Sequence, residues 1–310
     1  MHRPAGIATF RSSALDPAEL VAHKRGRTIS VCLPARNEEA TVAEIVTIIR
    51  TELMERVALV DEIVVMDDHS SDRTADVAAA AGARVVRCAE VLTHIADSPG
   101  KGETLWKSVH AAEGDLIVWC DADVTNFGPH FVTGLAGPLL QQPELAYVKG
   151  FYERPVGDGQ GGRVTELVAR PLIALLHPQL AGLVQPLAGE YAGRRDVLER
   201  VPFVQGYGVE MGLLIDLVRL VGHEHLAQVD LGTRVHRNRP LDQLACQATE
   251  VMQIALRRAA PDLVDNVVQL HRPNHDPCTI TLQERPRLVD VAAYVERRRD
   301  LSAGSTGSTS

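Results

Sequence analysis

The alternation of short apolar runs with helical patterns is the feature that most restricts the fold of this chain. The apolar runs occupy residues 28–33, 62–66, 84–87, 115–120 and 146–151. Helical patterns lie between them, at residues 41–53, 71–81 and 102–112. Continuously apolar strands that alternate with helices are typical of a mostly parallel sheet covered on both faces. The sequence therefore predicts an α/β fold with a Rossmann-like beginning, in which the first strand stops at Pro34.

The rest of the chain is predicted to be more helical. Helical patterns occupy residues 163–176, 208–221 and 241–258. Residues 1–27 are predicted to form an irregular lead-in with a short helix at 16–24. We divide the remainder into an α/β half, a more helical half, a C-terminal extension and a disordered Ser/Gly/Thr tail, at 28–150, 151–260, 261–301 and 302–310.

Charge and composition argue against several classes of protein. The formal net charge is -8, whereas a nucleic-acid binder needs a basic surface. No apolar stretch approaches the ~18 to 20 residues of a membrane span, and the first residues lack the apolar core of a secretory signal. These features predict a cytoplasmic protein that binds neither nucleic acid nor membranes.

The five cysteines are predicted to be buried free thiols. They are odd in number, widely spaced and without a CxxC pair: Cys32, Cys88, Cys120, Cys246 and Cys278. Two of them lie within apolar runs. This usage favours small buried side chains over disulfides or a zinc site.

The most informative polar motif is a pair of acids that directly follows an apolar strand, in Asp121-Ala122-Asp123. With the two-residue period of a strand, Asp121 and Asp123 point the same way, and the small Ala122 leaves room for a ligand. Neighbouring carboxylates repel each other unless a cation lies beside them, and oxygen ligands suit Mg²⁺ or Mn²⁺. The motif predicts a divalent metal site, and a solvated pair of turn acids is the alternative.

Two further polar clusters follow the first and second strands, PARNEE at 34–39 and DDHSSDRT at 67–74. Ligands of open α/β sheets bind beyond the carboxyl ends of the strands, so these clusters predict a nucleotide site. Asn37 could instead cap the next helix. Adjacent acids at the end of an apolar strand are costly unless they meet a ligand, a cation or backbone donors. The chain has no GxGxxG fingerprint after its first strand and no Walker A loop, which argues against a dinucleotide dehydrogenase.

The three clusters, in this order, resemble the nucleotide-sugar-binding half of GT-A glycosyltransferases, whose DxD motif holds a metal and a diphosphate. Longer strings are similar to glucosyl-3-phosphoglycerate synthases, a retaining family that also includes mannosyl-3-phosphoglycerate synthases. These strings are SPGKGE (98–103), GGRVTELVARPL (161–172), QPLAGEY (185–191), GYGVE (206–210) and VHRNRPL (235–241). The resemblance covers about residues 25–260. It implies a GT-A fold with a mixed, mainly parallel sheet, nucleotide-sugar binding by residues 28–150 and acceptor binding by residues 151–260.

The resemblance also implies a role for each matching position. The donor would be bound by Pro34, Ala35, Arg36, Glu38, Asp68, Lys101, Asp121, Ala122, Tyr207 and Glu210. The metal would be held by Asp123 and His236, with Asp121 beside them, and 3-phosphoglycerate by Gly162, Arg163, Thr165 and Asn238. The catalytic group would be Asp121, Asp123, Lys101 and Glu210. A Gly-Gly turn that opens a helix also offers N–H groups to an anion, although a flexible loop is the alternative there.

The implied reaction is a metal-dependent, retaining transfer of glucose from UDP-glucose to the 2-hydroxyl of 3-phosphoglycerate. Arg36, Asp68 and Ala122 depart from the family pattern, which leaves GDP-mannose as an alternative donor. A non-catalytic module that binds a sugar nucleotide is the alternative of a different class. The family also implies a homodimer, which the apolar segment 249–256 could serve, although packing within the subunit would explain that segment equally well.

Overall fold

The computed structural model describes residues 6–153, 162–235 and 241–306, without the side chains of 241–243 and 304–306. Its strands are β1 (Ala8–Arg11), β2 (Ile29–Ala35), β3 (Glu62–Asp67), β4 (Arg84–Arg87), β5 (Leu116–Trp119), β6 (Tyr147–Glu153), β7 (Tyr191–Arg194), β8 (Phe203–Val204), β9 (Leu226–Thr233), β10 (Val267–Arg272), β11 (His275–Thr281) and β12 (Glu284–Arg285). The central sheet has the order β1-β9-β6-β7-β5-β2-β3-β4. β7 runs antiparallel to β5 and β6, and the other neighbouring pairs of this sheet are parallel.

Helices cover both faces of this sheet. They are α1 (Pro17–Lys24), α2 (Val42–Ile49), α3 (Thr74–Ala81), α4 (Lys101–Ala111), α5 (Pro129–Gln141), α6 (Arg170–Leu176), α7 (Arg195–Leu198), α8 (Val209–Val221), α9 (Leu241–Ala259) and α10 (Ala292–Thr306). One apolar core packs α4, α8 and α9 against the sheet, and the other packs α2, α3 and α5 against the opposite face. The predicted α/β architecture with a mixed, mainly parallel sheet is confirmed.

Strand β2, the first that the sequence predicted, differs from the prediction because it continues through Pro34 to Ala35. Pro34 pairs with Met66 of β3, whereas the pairing of β2 with β5 ends at Cys32. On the β5 side the proline therefore lies beyond the ladder, and its missing N–H interrupts no bond there. The strand consequently delivers Pro34 and Ala35 to the carboxyl edge of the sheet.

The third helix also begins later than predicted, at Thr74 rather than at Ser71. Asp72 accepts a hydrogen bond from the backbone N–H of Thr74 at 3.0 Å. Residues 68–73 therefore form a loop after β3, which leaves the polar cluster free to turn toward the first loop.

Several strands were not predicted from the sequence. The lead-in contributes β1, which pairs with β9 at the edge of the central sheet. β7 and β9 lie in the part predicted to be mainly helical, and the expected boundary at residue 150 falls inside β6. The two halves therefore share one sheet, because β6 pairs with both β7 and β9.

Helix α10 extends to Thr306, past residue 302, where the tail was predicted to begin, and residues 307–310 lie outside the described residues. The prediction that all five cysteines are free thiols is wrong. Cys246 and Cys278 form a disulfide with their Cα atoms 6.5 Å apart, whereas Cys32, Cys88 and Cys120 are buried free thiols as predicted. The two bonded cysteines are distant in sequence and meet because β11 packs on α9. Within the described ranges, no helix combines the length and hydropathy that crossing a bilayer requires.

Candidate active site

One cleft of about 620 Å³ lies at the carboxyl ends of β2, β3 and β5. Loops that follow these strands form one wall, and the starts of α4 and α8, the segment from Gly162 and α9 form the others. All predicted site residues that the structure describes line this cleft: Pro34, Ala35, Arg36, Glu38, Asp68, Lys101, Asp121, Ala122, Asp123, Gly162, Arg163, Thr165, Tyr207 and Glu210. His236 and Asn238 lie outside the described residues.

The acid pair is held by two cations. Arg234 donates from Nη2 to Oδ2 of Asp121 at 2.9 Å and to Oδ1 of Asp123 at 2.8 Å. Lys101, the first residue of α4, donates to Oδ1 of Asp121 at 3.0 Å. Asp121 and Asp123 thus share one partner, whose guanidinium offsets their mutual repulsion. β5 ends at Trp119 and residues 122–123 form a turn, so the strand period that the sequence suggested does not extend to this pair.

These cations decide the charge state of Asp121. Burial raises its pKa, but Lys101 and Arg234 outweigh burial and hold the pKa below its ordinary value. Glu190 lies under the same guanidinium, with its Oε1 3.1 Å from Nε of Arg234. Burial raises the pKa of Glu190 despite that arginine, and neither of its carboxylate oxygens has a hydrogen bond within the described part of the chain. The Asp121 carboxylate therefore favours its charged form, while the pKa of Glu190 is raised above its ordinary value.

The acid pair fits a hard divalent cation. Asp123 keeps 34% of its side chain exposed toward the cleft, against 22% for Asp121, whose two oxygens are both occupied by cations. Mg²⁺ and Mn²⁺ bind through one or two carboxylates and take their remaining ligands from phosphate and water. Among the described residues no group of three acidic, histidine or cysteine side chains gathers around a point. Asp123 is thus the better placed protein ligand.

The two loops at the predicted donor end of the cleft are hydrogen-bonded to each other. The backbone N–H of Asn37 donates to Oγ of Ser70 at 3.0 Å, and the N–H of Ser71 donates to Oδ1 of Asn37 at 2.8 Å. Asn37 therefore joins the first loop to the second rather than capping α2, whose N-cap residue is Thr41. Asp68 accepts a bond from the N–H of Gly100 at 3.2 Å. This ties the start of α4 to the same wall.

The predicted acceptor end of the cleft is a turn that opens a helix. Gly162 has φ 78°, a left-handed conformation that glycine adopts at little cost. Its carbonyl accepts the N–H of Glu166 at 2.9 Å, and the helical run continues into α6. Arg163 and Thr165 stand in the first turn and line the cleft. The predicted arrangement of N–H groups and cationic side chain at a helix start is present.

Glu210 lines the cleft, and Lys149 is buried close to it. Glu210, in the first turn of α8, is 5% exposed and lies 2.9 Å from Nζ of Lys101. Lys149, on β6, is buried, and its Nζ lies 4.1 Å from the centre of the Tyr191 ring without a hydrogen-bond partner in the described ranges. Burial lowers the pKa of Lys149 to about 7, although Glu210 and Glu190 favour its charged form.

Sequence reasoning did not assign roles to Arg234, Glu190, Gly189 or Lys149. Gly189 and Glu190 belong to the QPLAGEY string, and Arg234 directly precedes VHRNRPL. For Gly189, Glu190 and Arg234, a position within or beside these strings was the signal that the sequence offered. Lys149 offered none, because an isolated lysine in an apolar run gives no indication of the strand face on which it lies.

Comparison with known proteins agrees with this geometry. Residues 30–201 match the model of Glycosyl transferase family 2, so fold and site define a glycosyltransferase of the GT-A type. Glucosyl-3-phosphoglycerate synthase of Petrotoga mobilis is 43% identical over 292 residues, which cover 88% of this chain and 90% of that protein. The Mycolicibacterium smegmatis enzyme of the same name is 49% identical over 247 residues, covering 78% and 80%. The chain belongs to the glucosyl-3-phosphoglycerate synthase family.

A crystal structure of the Mycobacterium tuberculosis glucosyl-3-phosphoglycerate synthase matches with a TM-score of 0.84 and 44% identity, covering 92% of this chain and 98% of that one. That structure is a complex with Mn²⁺, UDP-glucose and phosphoglyceric acid. The family and fold inferred from the sequence are therefore confirmed.

Proposed function

We propose that the protein transfers glucose from UDP-glucose to the 2-hydroxyl of 3-phosphoglycerate, with retention at the anomeric carbon. The observation that supports the proposal is that the Asp121–Asp123 pair and the helix start at Gly162 to Thr165 line the same cleft. One end suits a metal-bound diphosphate and the other suits a phosphorylated acid. The ligands of the M. tuberculosis relative have this chemistry.

The barrier lies in separating the diphosphate from an oxocarbenium-like sugar. A divalent cation held by Asp123, with Asp121 and His236 nearby, would offset the charge that grows on the leaving group. Lys101 adds a fixed positive charge at the same place, because Asp121 and Glu210 hold its ammonium group at 3.0 and 2.9 Å. Arg234 keeps Asp121 and Asp123 side by side before any ligand arrives.

The other end of the cleft would orient the acceptor. Arg163, Thr165 and the backbone that follows Gly162 would bind the glycerate phosphate, with Asn238 beside them. A phosphate fixed there leaves the acceptor's 2-hydroxyl directed at the sugar, which replaces a bimolecular encounter by an oriented one.

Retention is proposed to proceed by same-face attack assisted by the leaving phosphate. Glu210 is buried and paired with Lys101, so it is better placed to hold sugar hydroxyls than to act as a nucleophile. Recovery of a glycosyl adduct on Glu210, by mass spectrometry of the quenched enzyme, would show instead that retention uses a covalent intermediate.

The reaction is tested with a panel of donors and acceptors and the purified protein in Mg²⁺ or Mn²⁺. We expect UDP release with UDP-glucose and 3-phosphoglycerate together, and no activity in EDTA. Preferred release of GDP from GDP-mannose would assign the mannosyl reaction. Nucleotide binding without turnover of any donor would assign a silent binding module.

Two variants separate the two ends of the cleft. Asp123→Ala is expected to lose at least about 100-fold in kcat, as removal of a transition-state charge contact does. Arg163→Ala is expected to raise KM for 3-phosphoglycerate far more than KM for UDP-glucose. Equal effects of Arg163→Ala on both KM values would remove it from the acceptor site. Arg87→Ala, at an exposed arginine paired with Glu90, is the control for general loss of charge.

We also propose that the enzyme is a cytoplasmic homodimer. Its substrates carry several negative charges, and because charged groups enter a bilayer only at high cost, these substrates stay within the cell. Leu167, Leu175 and Met252 are 76%, 78% and 42% exposed, on segments that pack against one another, and such apolar side chains could be covered by a second subunit. Light scattering is expected to give a dimer for the wild type and a monomer for Leu167→Glu/Leu175→Glu. An unchanged mass would place any dimer contact elsewhere.

A further inference from the structure

A second cavity, of about 1040 Å³, lies at the opposite edge of the sheet from the active-site cleft. Its walls come from the segments before β2 and β5, the end of β7, helix α7 and helix α10. Six arginines line it: Arg25, Arg27, Arg194, Arg195, Arg298 and Arg299. We propose that this arginine cavity is a binding site for a small polyanion that carries phosphate groups.

The charge in the arginine cavity is opposite to that of the whole protein. Asp115, Asp196 and Glu199 are the acids in its lining, so the arginines outnumber them by two to one, while the chain carries a formal charge of -8. Burial lowers the pKa of Arg27, and the nearby charges of Arg194 and Arg25 lower it further. The positive charges thus act on one another, and an anion between them would relieve that repulsion.

Some of these arginines are committed to the protein, which makes the walls rigid. Arg27 donates to the carbonyls of Leu139 and Leu140, both at 2.9 Å. Arg194 forms a two-pronged pair with Asp196 at 3.0 and 2.7 Å. In contrast, the side chains of Arg25 and Arg299 are exposed and have no ion pair or hydrogen bond to any residue that the structure describes. These two guanidinium groups remain available to a ligand.

Arg195 supplies the second, independent observation. It is 4% exposed, and it donates from Nε to the carbonyl of Gly114 and from Nη1 to that of Val109, both at 2.6 Å. Its Nη2 is buried without a hydrogen-bond partner in the described part of the chain. A buried donor left unsatisfied costs about 1 to 3 kcal/mol, more when it is charged. Arg195 thus contributes a fixed guanidinium to the wall of the cavity, and one of its donors is left unsatisfied.

The chemistry and size of the arginine cavity favour a phosphate-bearing metabolite. The planar guanidinium fork matches phosphate oxygens in pairs. The volume is near the upper end of small-molecule sites, roughly 300 to 1,000 Å³. Leu116 and Tyr294 supply apolar walls for the remainder of such a molecule. A ligand there would not compete with the donor, because Asp121 and Lys101 lie at the far ends of β5 and α4.

The test is calorimetric titration with inorganic pyrophosphate at about 0.15 M salt in EDTA, which removes metal-dependent binding in the active-site cleft. We expect Arg25→Gln/Arg299→Gln to weaken pyrophosphate binding at least tenfold. The control is Arg56→Gln/Arg87→Gln, which removes the same charge from two arginines outside the cavity, paired with Glu52 and Glu90. This control is expected to change the affinity less than twofold.

Equal losses in both double variants would show only unspecific attraction and overturn the inference, as would no loss in either. Loss of binding in Arg163→Ala would place the probe in the active-site cleft and also overturn it. Binding of a poly-glutamate peptide with no binding of pyrophosphate would assign the cavity to an acidic protein segment instead. Arg25→Gln/Arg299→Gln is expected to keep its glucosyltransferase activity, which confirms that it is folded.

Discussion

Asp121 packs directly against the backbone of Gly189. A Cβ atom on Gly189 would lie 2.1 Å from Oδ2 of Asp121, the oxygen that Arg234 binds. The carboxylate and the backbone at residue 189 therefore pack without room for a methyl group. The position of the acid pair depends on this glycine as much as on its own cations.

Gly189→Ala should accordingly displace Asp121 by a fraction of an ångström to an ångström. We expect kcat to fall about 100-fold, because a misplacement of that size costs this much in an oriented reaction. Steady-state kinetics with UDP-glucose and 3-phosphoglycerate measure it. Gly182→Ala is the control, since the atom nearest to its new Cβ would be 3.5 Å away. Full activity of Gly189→Ala would contradict the close packing.

Lys149 makes the stability of the protein depend on pH. Burial lowers its pKa from 10.5 to about 7. Between these values the unfolded chain binds the proton more tightly than the folded one, so stability rises with pH; below about 7 both states are protonated and the full cost remains. Relative to Lys149→Met, the wild type should gain up to about 1.4 kcal/mol in free energy of unfolding per pH unit above pH 7. Urea unfolding of both proteins at pH 7 and pH 9 tests this, and parallel changes would count against it.

At the scale of elements, helix α4 connects the active site to the C-terminal segment. Lys101 at its start holds Asp121, and the fully buried Glu103 accepts from Nη2 of Arg285 on β12 at 2.9 Å. Lys107, one turn further, lies 3.1 Å from Glu103. The strand β12 pairs with β8 alongside. Arg285, which lies C-terminal to the family match at residues 30–201, thus helps to hold the helix that presents Lys101.

Gly102→Ala tests this packing, because a Cβ there would lie 1.6 Å from the carbonyl oxygen of Val204 in β8. Backbone on both sides cannot yield without moving the helix. We expect the free energy of unfolding to fall by about 3 kcal/mol, the upper end of ordinary overpacking. Chemical denaturation measures it, with Gly182→Ala again as the control. A loss below about 0.5 kcal/mol would mean that α4 and β8 can separate easily.

At the scale of the whole molecule, the C-terminal part is fastened to the cleft by a covalent bond. Cys246 lies on α9, the helix that brings Leu244, Gln247 and Val251 to the cleft, and Cys278 lies on β11. The bond closes a loop with a sequence separation of 32. The hairpin β10–β11 and the acceptor side of the cleft are thereby linked.

Reduction of this disulfide should destabilise the protein without touching the other cysteines, which are buried. The loop-closure model gives about 3 to 4 kcal/mol for a loop of this length. We expect dithiothreitol to lower the unfolding midpoint of the wild type and to leave Cys246→Ser/Cys278→Ser unchanged. An equal response of the two proteins to the reductant would show that the bond does not contribute in solution.

The sequence by itself determined the features that depend on local order along the chain. Apolar runs and helical periods located β2 to β6 and helices α2, α3, α4, α8 and α9, and the acids that follow β5 marked the site. Strings such as QPLAGEY indicated the family, and this one contains residues that line the cleft, Leu187 and Gly189. Boundaries were less certain at Pro34 and Thr74, where pairing geometry and the Asp72 side chain decided the outcome.

Tertiary structure alone decided the contacts between segments distant in sequence. Arg234 reaches Asp121 across 113 positions, and β1 completes a sheet whose next strand is β9. The Cys246–Cys278 bond and the arginine cavity likewise arise from segments that are distant in sequence and meet only in the fold. A residue's local pattern records which face of an element it occupies, whereas its partners depend on how the elements pack, and packing is a property of the whole chain.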